Sequence, residues 1–475
     1  MKIPAIRSSR YLRVAVLGIV FLSAAWGQAP STTNSSSGPP AVAPIQPNAL
    51  LSANDVSWLF PAPTRPEDFA NLIAVRDIIA PESQNPAKQD PVWSDSAFQQ
   101  FLTIVNGPSG QVAGTNFQIS LPPEARLIEN WYIAGIRIDA GAPGLSTAIG
   151  AQYGRLPEIR LIIQPVIKGS GGSPQVLDIA GHLIFDFITV STDLPASPDC
   201  FPRFKPDINA FGAVIAGVAA LRTKLNNGQL GAHGVSTAGL PLGVQPGLAD
   251  PATANSVRNE MLSFLEKNIS ADRLGSMAIA GLPANAPGPW IFLSILGDHQ
   301  GHFGPAHGPT LDGMQQFAQM LNLAGTSPRV VPEPHTNNLN PITCKNAAVS
   351  ATSLPVAQRS GVSTSAVFAT PAPSAAQTEQ ILDTIADPNK SFFFNTDCVS
   401  CHTETQRAID LLNVKAMPGI NPAVLPNGQW NIRNFGWSPA EGPVHATVTR
   451  RAAAETAAVV ASLNSEMLGK PAPSH

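Results

Sequence analysis

Residues 158–190 read EIRLIIQPVIKGSGGSPQVLDIAGHLIFDFITV, and their alternation decides the fold class. Along the first part, Ile159, Leu161, Ile163 and Ile167 take one face. Further on, Leu177, Ile179, Leu183, Phe185 and Phe187 take one face, with Asp178, His182 and Asp186 opposite. A period of two belongs to a strand, because successive Cβ atoms point to opposite sides of the pleat. Lys168-Gly169-Ser170-Gly171-Gly172-Ser173 between them is a hairpin loop. Trp131 to Asp139 supplies a third strand. Together they predict an antiparallel, sandwich-like sheet with one solvated face, and His182 as an exposed histidine on that face.

Working outward, Phe69, Leu72, Ile73 and Val75 suggest a short helix over Pro66 to Ile79. Asp207 to Asn226 reads as a helix that starts on an Asp and ends at Asn226-Asn227-Gly228. Asn255 to Asn268 is another. Gly228 to Pro251 is loop, while Met277 to Gly281 and Trp290 to Leu296 are short buried strands. The fold class expected is α+β: a β-rich region over 54–200, a mixed region over 201–349, an Ala/Ser/Thr/Pro-rich connector over 350–375, and a last unit over 376–468 before a tail at 469–475. Ordered structure should begin near Asp55, after a Ser/Pro-rich tether at 28–53.

Composition excludes some function classes. The 475 residues include 46 Pro and 38 Gly, and only 13% are charged, about half the usual ~25%. Nucleic-acid binding needs clustered Lys and Arg, so no nucleic-acid partner is expected. The 44% apolar content excludes disorder of the whole chain. Residues 1–27 have the form of a secretory signal: Lys2, Arg7, Arg10 and Arg13 precede an apolar run from Val14 to Trp26, and Ala25 and Gly27 suit a cleavage site. Loss of that segment lowers Lys plus Arg from 29 to 25 against 32 Asp plus Glu, a net charge of −7 rather than −3. The expected location is the periplasm, the cell envelope or the exterior, with a soluble mature chain.

Four cysteines are present. In an exported chain they are not expected to stay free thiols, and Cys200 with Cys344 is a candidate disulfide. The other two lie in Cys398-Val399-Ser400-Cys401-His402, the C-x-x-C-H attachment signature of a c-type haem. Two thiols form thioethers with the two porphyrin vinyl groups, the two intervening residues let both sulfurs reach one ring edge, and the next residue, His402, becomes the proximal iron ligand. A zinc site would want a second Cys or His pair nearby.

Residues Phe393 to Thr403 resemble the haem-binding stretch of bacterial c-type cytochromes. Their surroundings are similar to the class I layout: a helix over Gln377 to Asp387, a helix continuing the motif over Thr403 to Val414, and a final Ala/Val-rich helix over Thr449 to Leu468. The resemblance covers about a fifth of the chain, and implies a small all-α module carrying one covalently attached haem c and exchanging electrons with redox partner proteins. That family usually places a Met sixth ligand ahead of the last helix; here Met417 falls early and His445 stands near the expected place, so either, or neither, completes the iron. Trp430 and Trp437 could wall a haem pocket, Arg433 could meet a propionate, and Arg450-Arg451 is a solvated pair.

A second constellation lies in Asp298-His299-Gln300-Gly301-His302-Phe303-Gly304-Pro305-Ala306-His307. His299, His302 and His307 form a speculative site for an additional metal ion, against the plainer reading of a polar loop. The leading functional expectation is a monohaem electron-transfer protein. The alternatives are a haem oxidoreductase with a substrate or metal site in the N-terminal region, and a non-catalytic envelope binding protein.

Overall fold

The structure, a computed structural model, describes residues 51–79, 91–107, 111–112, 115–116, 118–141, 156–190, 204–282, 290–297, 299, 301–305, 315–321, 329–332, 371–391, 396, 398–427, 431–439 and 443–467. In chain order its strands are β1 (Ser57–Leu59), β2 (Gln111–Val112), β3 (Thr115–Asn116), β4 (Trp131–Asp139), β5 (Glu158–Lys168), β6 (Pro174–Val176), β7 (Ala180–Asp186), β8 (Ile188–Val190), β9 (Phe204–Pro206), β10 (Leu274–Gly281), β11 (Trp290–Gly297), β12 (Phe303–Pro305), β13 (Gln315–Leu321), β14 (Arg329–Pro332), β15 (Phe435–Ser438) and β16 (His445–Val448). The longer helices are α1 (Asp95–Val105), α2 (Ile208–Asn226), α3 (Ala254–Asn268), α4 (Ala375–Ala386), α5 (Cys398–Leu412) and α6 (Arg450–Ser462).

Among the described residues ten strands make one antiparallel sheet, ordered β1-β4-β5-β7-β10-β11-β13-β14, with β6 on β5 and β12 on β11. In place of the sandwich-like arrangement expected over 54–200, the strands of that region continue into one sheet with later ones, because β10 pairs with β7. The boundary drawn there falls inside one sheet, and residues 39–475 belong to one compact unit.

The register sorts the sheet into two faces. Ile159, Leu161 and Ile163 on β5 stand beside Phe185 and Leu183 on β7, then Met277 and Ile279 on β10 and Ile295 and Leu293 on β11. These residues are all buried in the main core. The other face carries Arg137 and Asp139 on β4, Glu158, Arg160 and Gln164 on β5, His182 and Asp186 on β7, Ala278 and Ala280 on β10, and Phe292 and Trp290 on β11. It is the face expected to meet solvent.

Instead the C-terminal chain lies on it. Gln164 clamps β15, its Nε2 donating to the Trp437 carbonyl at 2.9 Å while its Oε1 accepts from the Trp437 N–H at 2.7 Å. Arg137 Nη1 donates to Glu455 of α6 at 2.9 Å. Arg433 stacks over Trp290 at 5.2 Å. The His182 expectation is therefore corrected: it is partly buried beneath a layer contributed by residues more than 200 positions later.

Most helices fall where the periodicity puts them. Asp207 caps α2 by accepting from the Ala210 N–H at 3.0 Å, and Thr449 caps α6 by accepting from Ala452. By length and composition alone α2 could cross a membrane. Its Phe211, Val214, Ile215, Val218, Leu221 and Leu225 form one buried stripe in the core. Pro66–Asn71 and Val75–Asp77 are two 3₁₀ turns joined by extended backbone rather than one helix. The C-terminal unit is not all-α. Its helices α4, α5 and α6 pack together, but the hairpin β15–β16 sits between α5 and α6 in the chain and seals against β4 and β5.

Candidate functional site

Cys398 opens α5, so Cys401 and His402 stand three and four residues on, the spacing of neighbours on one side of a helix. Three partly buried ion pairs and a set of carbonyl contacts join this helix and its two neighbours. Arg450 donates to Asp383 of α4 at 2.6 Å and to Glu404 of α5 at 2.9 Å. Arg451 donates to Glu455 at 2.6 Å and to the Ser391 and Ile385 carbonyls at 2.6 and 3.1 Å. The solvated pair expected at these positions is in fact the tie between three helices. Cys401 is partly buried and within electrostatic reach of Arg451.

His402 is oriented by two contacts. Its Nδ1 lies 2.7 Å from the Ile432 carbonyl, a bond in which only the imidazole can donate. Its ring meets Phe292 of β11 edge-on, centroids 5.2 Å apart. Burial, reinforced by the charges of Arg160 and Arg433, lowers its pKa to about 4 against the opposing pull of the Ile432 carbonyl, so the ring is neutral at pH 7. A neutral imidazole whose Nδ1–H is spent on a carbonyl presents its Nε2 lone pair, which is the state an iron ligand needs.

Around it, Ala280, Trp290, Phe292 and Ile432 form an apolar cluster separate from the main core. Arg433 borders this cluster. Its side chain is 1% exposed and paired with Asp178, while Nε and Nη1 have no hydrogen-bond partner among the described residues. An orphaned buried guanidinium is costly, and a carboxylate brought by a ligand would satisfy it. These residues fit a haem.

The distal candidates are placed differently. Met417 is buried in the main core, not in the cluster around His402. His445 on β16 is half-buried, and neither ring nitrogen makes a hydrogen bond of normal geometry among the described residues. Burial lowers its pKa, the Pro443 carbonyl offsets this in part, and Arg433 lowers it further.

The structure adds a residue that period-two reading assigned to solvent. His182 lies within electrostatic reach of His402, and its Nδ1 is 3.5 Å from Arg160 Nη1. Burial first, then Arg160, His402 and Arg137, holds its pKa well below the ordinary value. The signal in the sequence was the crowding of charge on one face of three adjoining strands, which a solvated face does not require.

The histidine-rich loop is described only in part. His299 has a positive φ of 58°, with Nε2 3.5 Å from Asp186 Oδ2 and Nδ1 3.4 Å from the Asp272 carbonyl oxygen. His302 is exposed. No group of three or more metal-ligating side chains occurs among the described residues. His307, Cys200, Cys344 and Trp430 lie outside them. No protein-family model, curated protein or solved structure matches this chain.

Proposed function

We propose that the protein is an exported monohaem c-type cytochrome, with haem attached at Cys398 and Cys401 and held by His402, passing single electrons between redox partner proteins. The observation that carries this reading is the 2.7 Å donation from His402 Nδ1 to the Ile432 carbonyl directly after a C-x-x-C pair. That bond fixes the tautomer and turns Nε2 away from the backbone. Haem bound there supplies a one-electron carrier. Phe292, Trp290 and Ile432 would give a haem held by His402 an apolar wall, and Nε and Nη1 of Arg433 would meet a propionate. Partly buried Arg450 ties the helix that carries the motif to α4 through Glu404 and Asp383. The basic, apolar-cored segment over residues 1–27 supports export, which the attachment of c-type haem outside the cytoplasm calls for.

The test is expression with the cytochrome c maturation machinery. A pyridine haemochrome α-band near about 550 nm that stays with the chain through denaturing gel electrophoresis is expected. The Cys401→Ala variant should lose most of the covalently held colour. A wild-type protein that stays colourless under these conditions overturns the reading.

A further inference from the structure

We infer that Arg137 and Asp139 form a pH-sensitive latch between the sheet and the C-terminal layer: while Asp139 is protonated, Arg137 holds Glu455 of α6, and once Asp139 ionises, Arg137 turns to it and α6 loosens. The latch uses no haem and stands apart from the function proposed above.

The register sets up the conflict. Asp139 on β4 pairs with Glu158 on β5, which pairs with Asp186 on β7, so three carboxyl groups stand side by side across the sheet. Like charges directly opposite each other destabilise a sheet. The nearby cations are engaged elsewhere. Arg160 Nε and Nη2 both lie 3.2 Å from Glu158 Oε1. Arg137 Nη1 donates to Glu455 Oε2 at 2.9 Å, and Arg451 Nε donates to Glu455 Oε1 at 2.6 Å. His299 Nε2 lies 3.5 Å from Asp186. Asp139 is 4% exposed and accepts from the Gly141 N–H at 3.0 Å, with no cation in contact among the described residues. Other charged groups on elements packed against β4 have their own partners: Asp55 lies 3.2 Å from Arg222, Asp77 acts on Tyr132 at the other end of the strand, and Arg450 of α6 holds Glu404 and Asp383.

A carboxyl group so placed keeps its proton. Burial, then Glu158, raises the pKa of Asp139 to about 7 against the pull of Arg137, while that of Glu455 is lowered to about 2, so Glu455 stays ionised throughout. Arg137 can serve either carboxylate. It stands two residues before Asp139 on the same face of β4, and its Nε has no hydrogen-bond partner among the described residues. A buried carboxylate formed beside it recruits this guanidinium, because an unpaired buried charge is costly. Glu455 then keeps Arg451 alone. Ser57 Oγ and Thr456 Oγ1, 2.8 Å apart, still tie α6 to β1, so the helix loosens without leaving. The change reaches the helix of the C-x-x-C-H motif, since Arg450 at the start of α6 holds Glu404 of α5.

The experiment is hydrogen exchange on the full mature chain at about pH 5.5 and about pH 8.5, with rates converted to protection factors so that the intrinsic pH dependence is removed. Protection in α6 should fall about tenfold or more at the higher pH relative to protection in α3, which reports the core. Asp139→Asn, which cannot ionise, should keep the low-pH protection of α6 at both values. Glu455→Gln, which removes the tie, should show weakened α6 at both values with α3 still protected. The latch is overturned if α6 and α3 lose protection in parallel, if Asp139→Asn keeps the wild-type drop, or if Glu455→Gln leaves α6 as protected as in the wild type.

Discussion

Arg433 concentrates the chemistry of the site in one side chain. It is almost wholly buried, stacked on Trp290, and matched by a single carboxylate, Asp178, that is itself 30% exposed. A cation desolvated to this degree needs more acceptors than one aspartate supplies. With haem in place its charge also disfavours the oxidised, more positive iron. The Arg433→Met variant should therefore lower the reduction potential, measured by equilibrium redox titration, with little change in the covalent haem band. An unchanged potential would mean that the guanidinium faces away from the haem. The C-x-x-C-H pattern of Cys398, Cys401 and His402 was legible without a structure because it is a spacing within five consecutive residues. His182 was not, because alternation reports which face a side chain takes and says nothing of what covers that face.

At the scale of elements, β15 is the joint between the two halves of the chain. Gly436 has φ 138°, and a Cβ there would lie 2.8 Å from Gln164 Oε1, the atom that accepts from the Trp437 N–H. Gly436→Ala should combine backbone strain with a lost clamp and cost roughly 2–3 kcal/mol in thermal or denaturant unfolding. A cost below about 0.5 kcal/mol would show that Gln164 yields without loss. Gly135 on β4 makes the matching concession, since a Cβ there would lie 2.5 Å from the Phe435 ring. Long amphipathic helices such as α3 were readable from periodicity alone. The β15–β16 hairpin was not, because its four-residue strands are stabilised by Gln164, Gly135 and Phe60 rather than by any local pattern.

Across the whole molecule, charges buried between the sheet and the C-terminal layer set the pH dependence. Glu455, held by Arg451 and Arg137 against the cost of burial, has its pKa lowered to about 2. It binds protons less tightly folded than unfolded, so its stabilisation is complete above about pH 4.5 and is lost as pH falls toward 2. Asp139 behaves in the opposite sense. Burial, then Glu158, raises its pKa to about 7, with Arg137 opposing. Folding favours its protonated form, so a penalty grows as pH rises from about 4 to 7 and reaches at most about 4 kcal/mol. The melting temperature should therefore peak at about pH 4 to 4.5 and decline toward pH 7. Asp139→Asn should flatten the decline on the alkaline side and leave the acid side unchanged; a decline of wild-type steepness in that variant would rule Asp139 out as its source. By itself the sequence determined the central strands, most of the longer helices and the C-x-x-C-H spacing, because each is a local matter of period, cap or motif. Only the tertiary structure decided that one sheet gathers strands from residues 57 to 332, that its charged face is roofed by the C-terminal segment, and that His182 stands within electrostatic reach of His402. Those facts depend on pairings across hundreds of residues, where burial and charge compensation act together and no local pattern records the partner.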